Sequence, residues 1–300
     1  MKLKYTIITL VSLVIATTLT AQQTFRLSQY MQHNYVFNPA AAGANDVSSI
    51  GATYKKMWEG IEGGPQTTLL FGDTYFNKYK AGASILVYND VTGPTSRSRA
   101  ELNVSYAIPF SDKRKLSFGL GGIIMQERID KLQIEKYVPG DPILAGPGSW
   151  VSGDASAGVY YTSKTINVGF SVKQLVQSKL DLIQTATALE ARLYRQYYVM
   201  GSYNWRTDED NVIVPNFLLK LSSHAPADIE AGARIEHKDF IWVGFNCHYQ
   251  QSFSAFAGLK MNHKYAIGYA YDQYKTPLSV FDNGGGAHEI SLRYYFSPKK

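Results

Sequence analysis

Apolar and polar side chains alternate along most of this chain. From Arg99 to Ile108, Ala100, Leu102, Val104, Tyr106 and Ile108 share one parity, and Arg99, Glu101, Asn103, Ser105 and Ala107 share the other. From Asp228 to Glu236, Ile229, Ala231, Ala233 and Ile235 alternate with Asp228, Glu230, Gly232, Arg234 and Glu236. A period of two predicts a β-strand whose two faces meet different surroundings. The rhythm recurs at 47–56, 66–76, 80–88, 96–108, 116–126, 154–162, 165–173, 192–205, 212–222, 227–236, 240–250, 254–261, 265–274 and 287–296. Charge on one face and aliphatics on the other suit a wall between a wet lumen and lipid. The predicted class is all-β: a transmembrane outer-membrane β-barrel of about 14 antiparallel strands.

The links between the strands fall into two classes. After even-numbered strands they are short and polar, as in Asn77-Lys78-Tyr79, Ser163-Lys164 and Asn262-His263-Lys264. After odd-numbered strands they are mostly longer, with Glu127–Gly153, Gln174–Ala191 and Lys275–Gly286 the largest; Ser223–Pro226 and Gln251–Phe253 are short exceptions. Outer-membrane barrels have short periplasmic turns and longer external loops. The expectation is an outer-membrane protein with both termini periplasmic. Tyrosines near strand ends, among them Tyr75, Tyr88, Tyr106, Tyr161, Tyr271 and Tyr294, suit the aromatic girdles of such a wall.

The N-terminus adds an address. Lys2 and Lys4 precede an apolar or hydroxylated run from Thr6 to Leu19, and Ala21 precedes Gln22, a pattern that predicts a secretory signal peptide over 1–21. Residues 22–46 then form a segment ahead of the first strand, and 47–300 the barrel. Removing Lys2 and Lys4 lowers the formal net charge from +6 to +4. The basic residues are spread out, with none of the basic, aromatic-interleaved clusters that nucleic-acid binding needs. No later stretch approaches the ~20 apolar residues of a membrane-crossing helix.

Candidate chemistry is sparse. Cys247 is the single cysteine and shares an apolar register with Ile241, Val243, Phe245 and Tyr249, which marks a wall residue rather than a nucleophile. His33, His224, His237, His248, His263 and His288 are scattered, with no helical zinc pair among them. His288-Glu289 reads as a polar rim pair. Gly119, Gly121 and Gly122 suit a bend or a crowded wall. There is no Gly-x-Ser-x-Gly elbow. No metal, no cofactor and no enzymatic activity are expected.

Two segments do not fit a plain porin. Gln29 to Gly43 is aromatic and polar, and Asn38-Pro39 initiates a turn while Gly43 suits positive φ. It reads as a cap on the periplasmic mouth or a filling of the lumen. Tyr54 to Thr67 holds Trp58 among Gly60, Gly63, Gly64 and Pro65, and it reads as a segment folded back into the lumen, a partner anchor or a girdle tryptophan beside a turn. Partner-binding candidates are therefore Tyr30, Asn38, Pro39, Gly43, Trp58, Gly60 and Pro65, with Trp150 in the long fifth link and the His288-Glu289 pair.

These motifs carry a family resemblance. Gln29-Tyr30-Met31 running to Asn38-Pro39-Ala40-x-Ala42-Gly43, then Trp58-x-Gly60 to Gly64-Pro65-x-Thr67, resembles the PorP/SprF family of the Bacteroidota. The ending Gly285-Gly286-Ala287-His288-Glu289-Ile290-Ser291-Leu292-Arg293-Tyr294 is similar to that family's last strand. Where the family usually has Arg and Gln before the Trp, this chain has Lys55 or Lys56 and Met57; Lys keeps the charge without the bidentate fork. The resemblance implies a barrel of the type IX secretion system. It would bind, export or anchor secreted surface proteins, often gliding adhesins with a C-terminal signal domain, alongside other secretion components in outer-membrane lipid. The alternatives are an outer-membrane diffusion channel or small-molecule transporter, and an outer-membrane enzyme.

Overall fold

The computed structural model describes residues 26–111, 113–179, 192–223, 225–275 and 278–296. The expected signal peptide lies outside them. The alternating segments form antiparallel strands β1 (Ser49–Met57), β2 (Gln66–Phe76), β3 (Ala81–Thr92), β4 (Thr95–Ser111), β5 (Arg114–Ile129), β6 (Ser149–Thr162) and β7 (Ile166–Lys173). They continue with β8 (Gln196–Tyr203, resuming at Trp205–Arg206), β9 (Asn211–Ser222), β10 (Ala225–His237) and β11 (Ile241–His248). The last three are β12 (Ser252–Met261), β13 (Tyr265–Tyr274) and β14 (Ala287–Tyr295).

Each strand pairs with its sequence neighbours, and β14 returns to pair with β1 from Ser49↔Tyr295 to Met57↔Ala287. The result is a closed 14-strand barrel. Closure gives the wall's backbone groups their partners within the sheet, the condition for crossing hydrocarbon without a helix.

Burial is inverted relative to a water-soluble protein. Leu102 and Val104 are 58% and 52% exposed, while Glu101 and Asn103 between them are 3% and 0% exposed. Ile229 and Ile235 likewise face out and Glu230 faces in. The aliphatic parity is thus the lipid-facing wall, and the polar parity lines the lumen.

Three features depart from the sequence reading. β4 and β5 run beyond 96–108 and 116–126, and the β3–β4 link shrinks to Gly93-Pro94, a third short link on the odd-numbered side. Next, β6 begins at Ser149, so Trp150 lies on a strand rather than in a loop. The third departure concerns the chain ends. Arg26, the first described residue, donates through Nη1 to Gln251 Oε1 at 3.0 Å, in the β11–β12 turn at the long-loop mouth. Tyr295 lies at the opposite, short-turn mouth beside Ser49. The described ends therefore sit at opposite mouths; the termini themselves, expected to be periplasmic, lie outside the described residues. The reason is that residues 26–48 run down the lumen before β1 starts, a path that strand periodicity does not encode.

Val104→Arg puts a guanidinium on the lipid face and is expected to cost about 2–4 kcal/mol, read by urea titration of the barrel in lipid vesicles. Asn103→Arg, which parity alone marks as a wet and tolerant position, is expected to be equally damaging. Asn103 Nδ2 is 3.3 Å from the Tyr35 carbonyl and 3.2 Å from Ser84 Oγ, inside a filled lumen. Normal assembly of Asn103→Arg would show that the lumen is empty at that level.

Candidate functional site

The lumen is occupied by the chain's own first segment. Tyr30–Gln32 and Pro39–Ala41 are single 3₁₀ turns, and Asn34–Phe37 is one turn of α-helix. Leu27, Tyr30, Tyr35, Val36, Phe37, Ala40 and Ala41 pack with wall residues Leu69, Phe71, Leu86, Tyr160, Tyr198, Met200 and Leu218 in one buried cluster. The Phe37 and Tyr198 rings lie 5.8 Å apart, and His33 meets Phe71 edge-on at 4.6 Å.

Polar anchors ring this plug. Glu289 on β14 is fully buried and accepts from the Ser28 and Gln29 backbone N–H groups at 2.6 and 3.1 Å. Lys55 on β1 reaches Ser28 Oγ and Asp272 Oδ2, both at 2.7 Å, with Glu289 Oε2 at 3.9 Å. Asn246 on β11 donates to the Ser28 carbonyl at 2.8 Å. Tyr30 donates its hydroxyl to Asn216 Oδ1 at 2.5 Å. Toward the long-loop end of β7, Ser171 donates to the Phe37 carbonyl at 2.6 Å, and Lys173 donates to the Val36 carbonyl while pairing with Glu101. Arg293 Nη2 donates to the Gln32 carbonyl at 2.7 Å.

Close approach is permitted by missing side chains on the wall. Asn38 accepts from Ala40 N at 2.9 Å, capping the Pro39 turn, and donates to the Val159 carbonyl at 3.0 Å. A Cβ on Gly158 would lie 2.1 Å from Asn38 Oδ1, and one on Gly119 would lie 2.3 Å from Ala40 N. At the lower end Gly43, with φ +68°, donates its N–H to Asp73 Oδ1 at 2.7 Å. A Cβ there would lie 2.8 Å from Gly82 Cα. Gly119 thus belongs to a crowded wall, whereas Gly122 has nothing within 4 Å of its missing Cβ and faces lipid.

Of the sequence-predicted partner residues, Tyr30, Asn38, Pro39, Gly43 and Glu289 come together inside the barrel, where their contacts are within the chain. His288 and Glu289 are not a rim pair. Neighbours on a strand point to opposite faces, so His288 turns outward, its Nδ1 2.6 Å from Tyr269 Oη and its ring 5.2 Å from Tyr271. Trp58, Gly60 and Pro65 belong to the first long loop. Gly60 N donates to Asp282 Oδ1 at 3.1 Å, which ties that loop to the last one, and the Pro65 carbonyl accepts from Met57 N at 2.8 Å. Trp150 is half-buried on the inward parity of β6 near the same mouth.

Lys55, which the sequence marked only through the motif before Trp58, is an anchor, and Asp272, Asn216, Asn246 and Lys173 are anchors that the sequence reading passed over. Inward parity was the only signal of those four, and dozens of residues share it. Among the described residues no cluster of histidine, cysteine or carboxylate side chains could hold a metal.

The long-loop crown and the short-turn mouth differ. The long loop 130–148 folds on itself, with Lys131 Nζ donating to the Leu144 and Gly146 carbonyls at 2.8 and 2.6 Å. It leaves Leu132 and Tyr137 80% and 66% exposed, together with Val138. At the opposite mouth, below Tyr30–Asn34, the lumen widens into a cavity of about 1100 Å³.

Comparison with known proteins agrees with this architecture. The family model for the type IX secretion system membrane protein PorP/SprF matches residues 19–294. No curated protein sequence matches. Among solved structures, the chain is similar to the Ralstonia pickettii toluene transporter TbuX, with TM-score 0.50 and 11% identity over 90% of this chain and 93% of that one. It is also similar to a Pseudomonas aeruginosa FadL homologue, with TM-score 0.51 and 12% identity over 86% of this chain and 92% of that one. At such identities the likeness speaks to the barrel fold alone.

Gly119→Val is expected to overpack the plug against the wall and destabilise the barrel by about 1–3 kcal/mol. Gly122→Val, three residues on and facing lipid, should be close to neutral. Lys55→Met strips the counter-charge from buried Asp272 and Glu289 and should cost about 3–5 kcal/mol. Denaturant titration in micelles checks all three; equal effects at Gly119 and Gly122 would contradict the plug's position.

Proposed function

Since the chain belongs to the PorP/SprF family of type IX secretion system membrane proteins, we propose that it serves as a non-enzymatic docking barrel. In this reading it binds, exports or anchors specific secreted surface proteins through their C-terminal signal domain, together with other components of the secretion system. The outer membrane is its solvent, and the long loops face outside.

The observation that carries the reading is the obstructed lumen. A diffusion channel needs a continuous water path, and here Ser28, Gln29, Tyr35 and Phe37 are packed into the inner wall by hydrogen bonds and an apolar cluster. The cavities beside Phe37 are only about 50 and 20 Å³. A binding role suits the crown instead. Exposed Leu132, Tyr137 and Val138 on a self-braced loop offer apolar contact area, and the linked loops around Trp58 and Asp282 offer a fixed platform. Binding residues concentrate on loops carried by rigid scaffolds.

In planar bilayers the purified protein should show no steady conductance. A pull-down from native outer membrane should recover a large surface protein. Deleting 132–146 should leave the barrel in the membrane and abolish surface display of that protein, because changes in loop length are thermodynamically mild. Trp58→Ala should weaken the same step by about 2 kcal/mol or more as an interface anchor. Steady conductance in the wild type, with display intact in both variants, would move the assignment to the transporter alternative. Orientation is checked in a Cys247→Ser background: impermeant thiol reagents should label Gly148→Cys on intact cells and spare Asp208→Cys.

A further inference from the structure

The cavity at the short-turn mouth is roofed by Tyr30–Asn34 and walled by the lower ends of β6 to β14. Its cations are Lys164, Arg206, Arg234, Lys260 and Arg293, and its carboxylates are Glu236 and Asp239. Both carboxylates are already engaged. Glu236 pairs with Arg234, and Asp239 Oδ2 lies 2.8 Å from Lys260 Nζ and 3.2 Å from His263 Nδ1. Lys164, Arg206 and Arg293 have no carboxylate within salt-bridge distance among the described residues.

These three are also not dispersed. Lys113 on the neighbouring turn stands beside Lys164, and with Arg206 it holds the Lys164 ammonium below the usual lysine range. Arg206 spends one bond on its own turn, Nη1 to the Glu209 carbonyl at 3.2 Å. Arg293 is fixed deeper in the cavity by the Gln32 carbonyl at 2.7 Å and His33 Nδ1 at 3.1 Å, above the Phe71 ring. Of the three, Arg293 also feels the Asp73 carboxylate. A recess lined by such an excess of positive charge and backed by a low-dielectric wall focuses its field on whatever enters. Between the cations, Gln32, Asn34, Asn45, Asn167 and Asn204 line the same space. Each amide both donates and accepts, which suits the alternating groups of a peptide backbone.

We propose that this vestibule is a binding site for an acidic, extended peptide segment of a partner protein. Its carboxylates would meet Lys164, Arg206 and Arg293, and its backbone would meet the lining amides. The cavity exceeds the about 300–1,000 Å³ of small-molecule sites and opens to water, which favours a chain segment over a metabolite. Lys164 and Arg206 stand at the rim and Arg293 deeper in the barrel, so a ligand that meets all three must enter the lumen, which favours a peptide over a lipid headgroup. The inference stands apart from cargo display at the other mouth, so either can fail alone.

The test uses the full-length protein in detergent micelles and a short fluorescein-labelled Glu-Ser repeat peptide, followed by anisotropy. Saturable binding is expected, weakened about tenfold or more in Lys164→Glu/Arg206→Glu, and within about twofold of wild type in Lys78→Glu, a turn lysine of the same mouth outside the cavity. Should the double reversal not fold, Lys164→Gln/Arg206→Gln takes its place, with retained heat-modifiable migration as the criterion of folding. A Gln-Ser peptide binding as tightly as the Glu-Ser peptide would overturn the proposal. So would an equal loss in Lys78→Glu, which would mean unspecific surface charge. Displacement of the peptide by monomeric dihexanoylphosphatidylglycerol would reassign the cations to lipid headgroups and overturn it as well.

Discussion

A strand inside hydrocarbon has nothing but another strand to satisfy its backbone, and the rest of this molecule follows from that. Pairing β14 back onto β1 closes the ring, and the closed ring divides side chains into a lipid face and a lumen face. Aliphatics take the first. The second then carries Lys55, Glu101, Asn103, Lys173, Asn246, Asp272 and Glu289, all largely hidden from solvent. Charged groups are almost never fully buried unless paired, so an inner wall of this kind calls for internal partners. The first segment supplies them, as with the Ser28 and Gln29 N–H groups on Glu289.

The wall and plug are complementary in shape as well as in charge. Plug backbone lies against Gly82 and Gly119, and the Asn38 side chain against Gly158, where any Cβ would collide with them. Asn38 is buried at the junction, bonded both to its own turn and to the carbonyl of Val159 on β6. Interiors packed to this density transmit strain rather than absorb it. The plug and the barrel share one apolar cluster and a ring of hydrogen bonds, the contacts of a packed interior rather than of a loose stopper.

This packing separates the two mouths. Toward the long loops the lumen is filled and the surface is a crown of braced loops with exposed apolar side chains. Toward the short turns the plug leaves an amide-lined, cationic recess walled by the lower ends of β6 to β14. A barrel so arranged presents two different surfaces at its two mouths, with the plug packed in the lumen between them. That arrangement suits a secretion component that holds partners better than a pore that passes solutes.

The alternation along the sequence by itself determined the strands, their number and which side chains face lipid, because period-two patterning is a local property and lipid admits only one parity of aliphatics. Arg99 to Ile108 is enough to orient β4, and parity alone would have separated His288 from Glu289. The sequence also marked Asn38-Pro39 and Gly43 as turn residues, for reasons local to the backbone. The occupant of the lumen was decided by tertiary structure. Glu289 meets Ser28, Lys55 meets Asp272, and Asn103 meets Tyr35 across separations in sequence that no local pattern records. The same holds for the position of Arg26 at the long-loop mouth and for the gathering of Lys113, Lys164 and Arg206 at the other. Parity assigns each residue a face, and only the closed ring brings the faces of distant strands, and the segment between them, into contact.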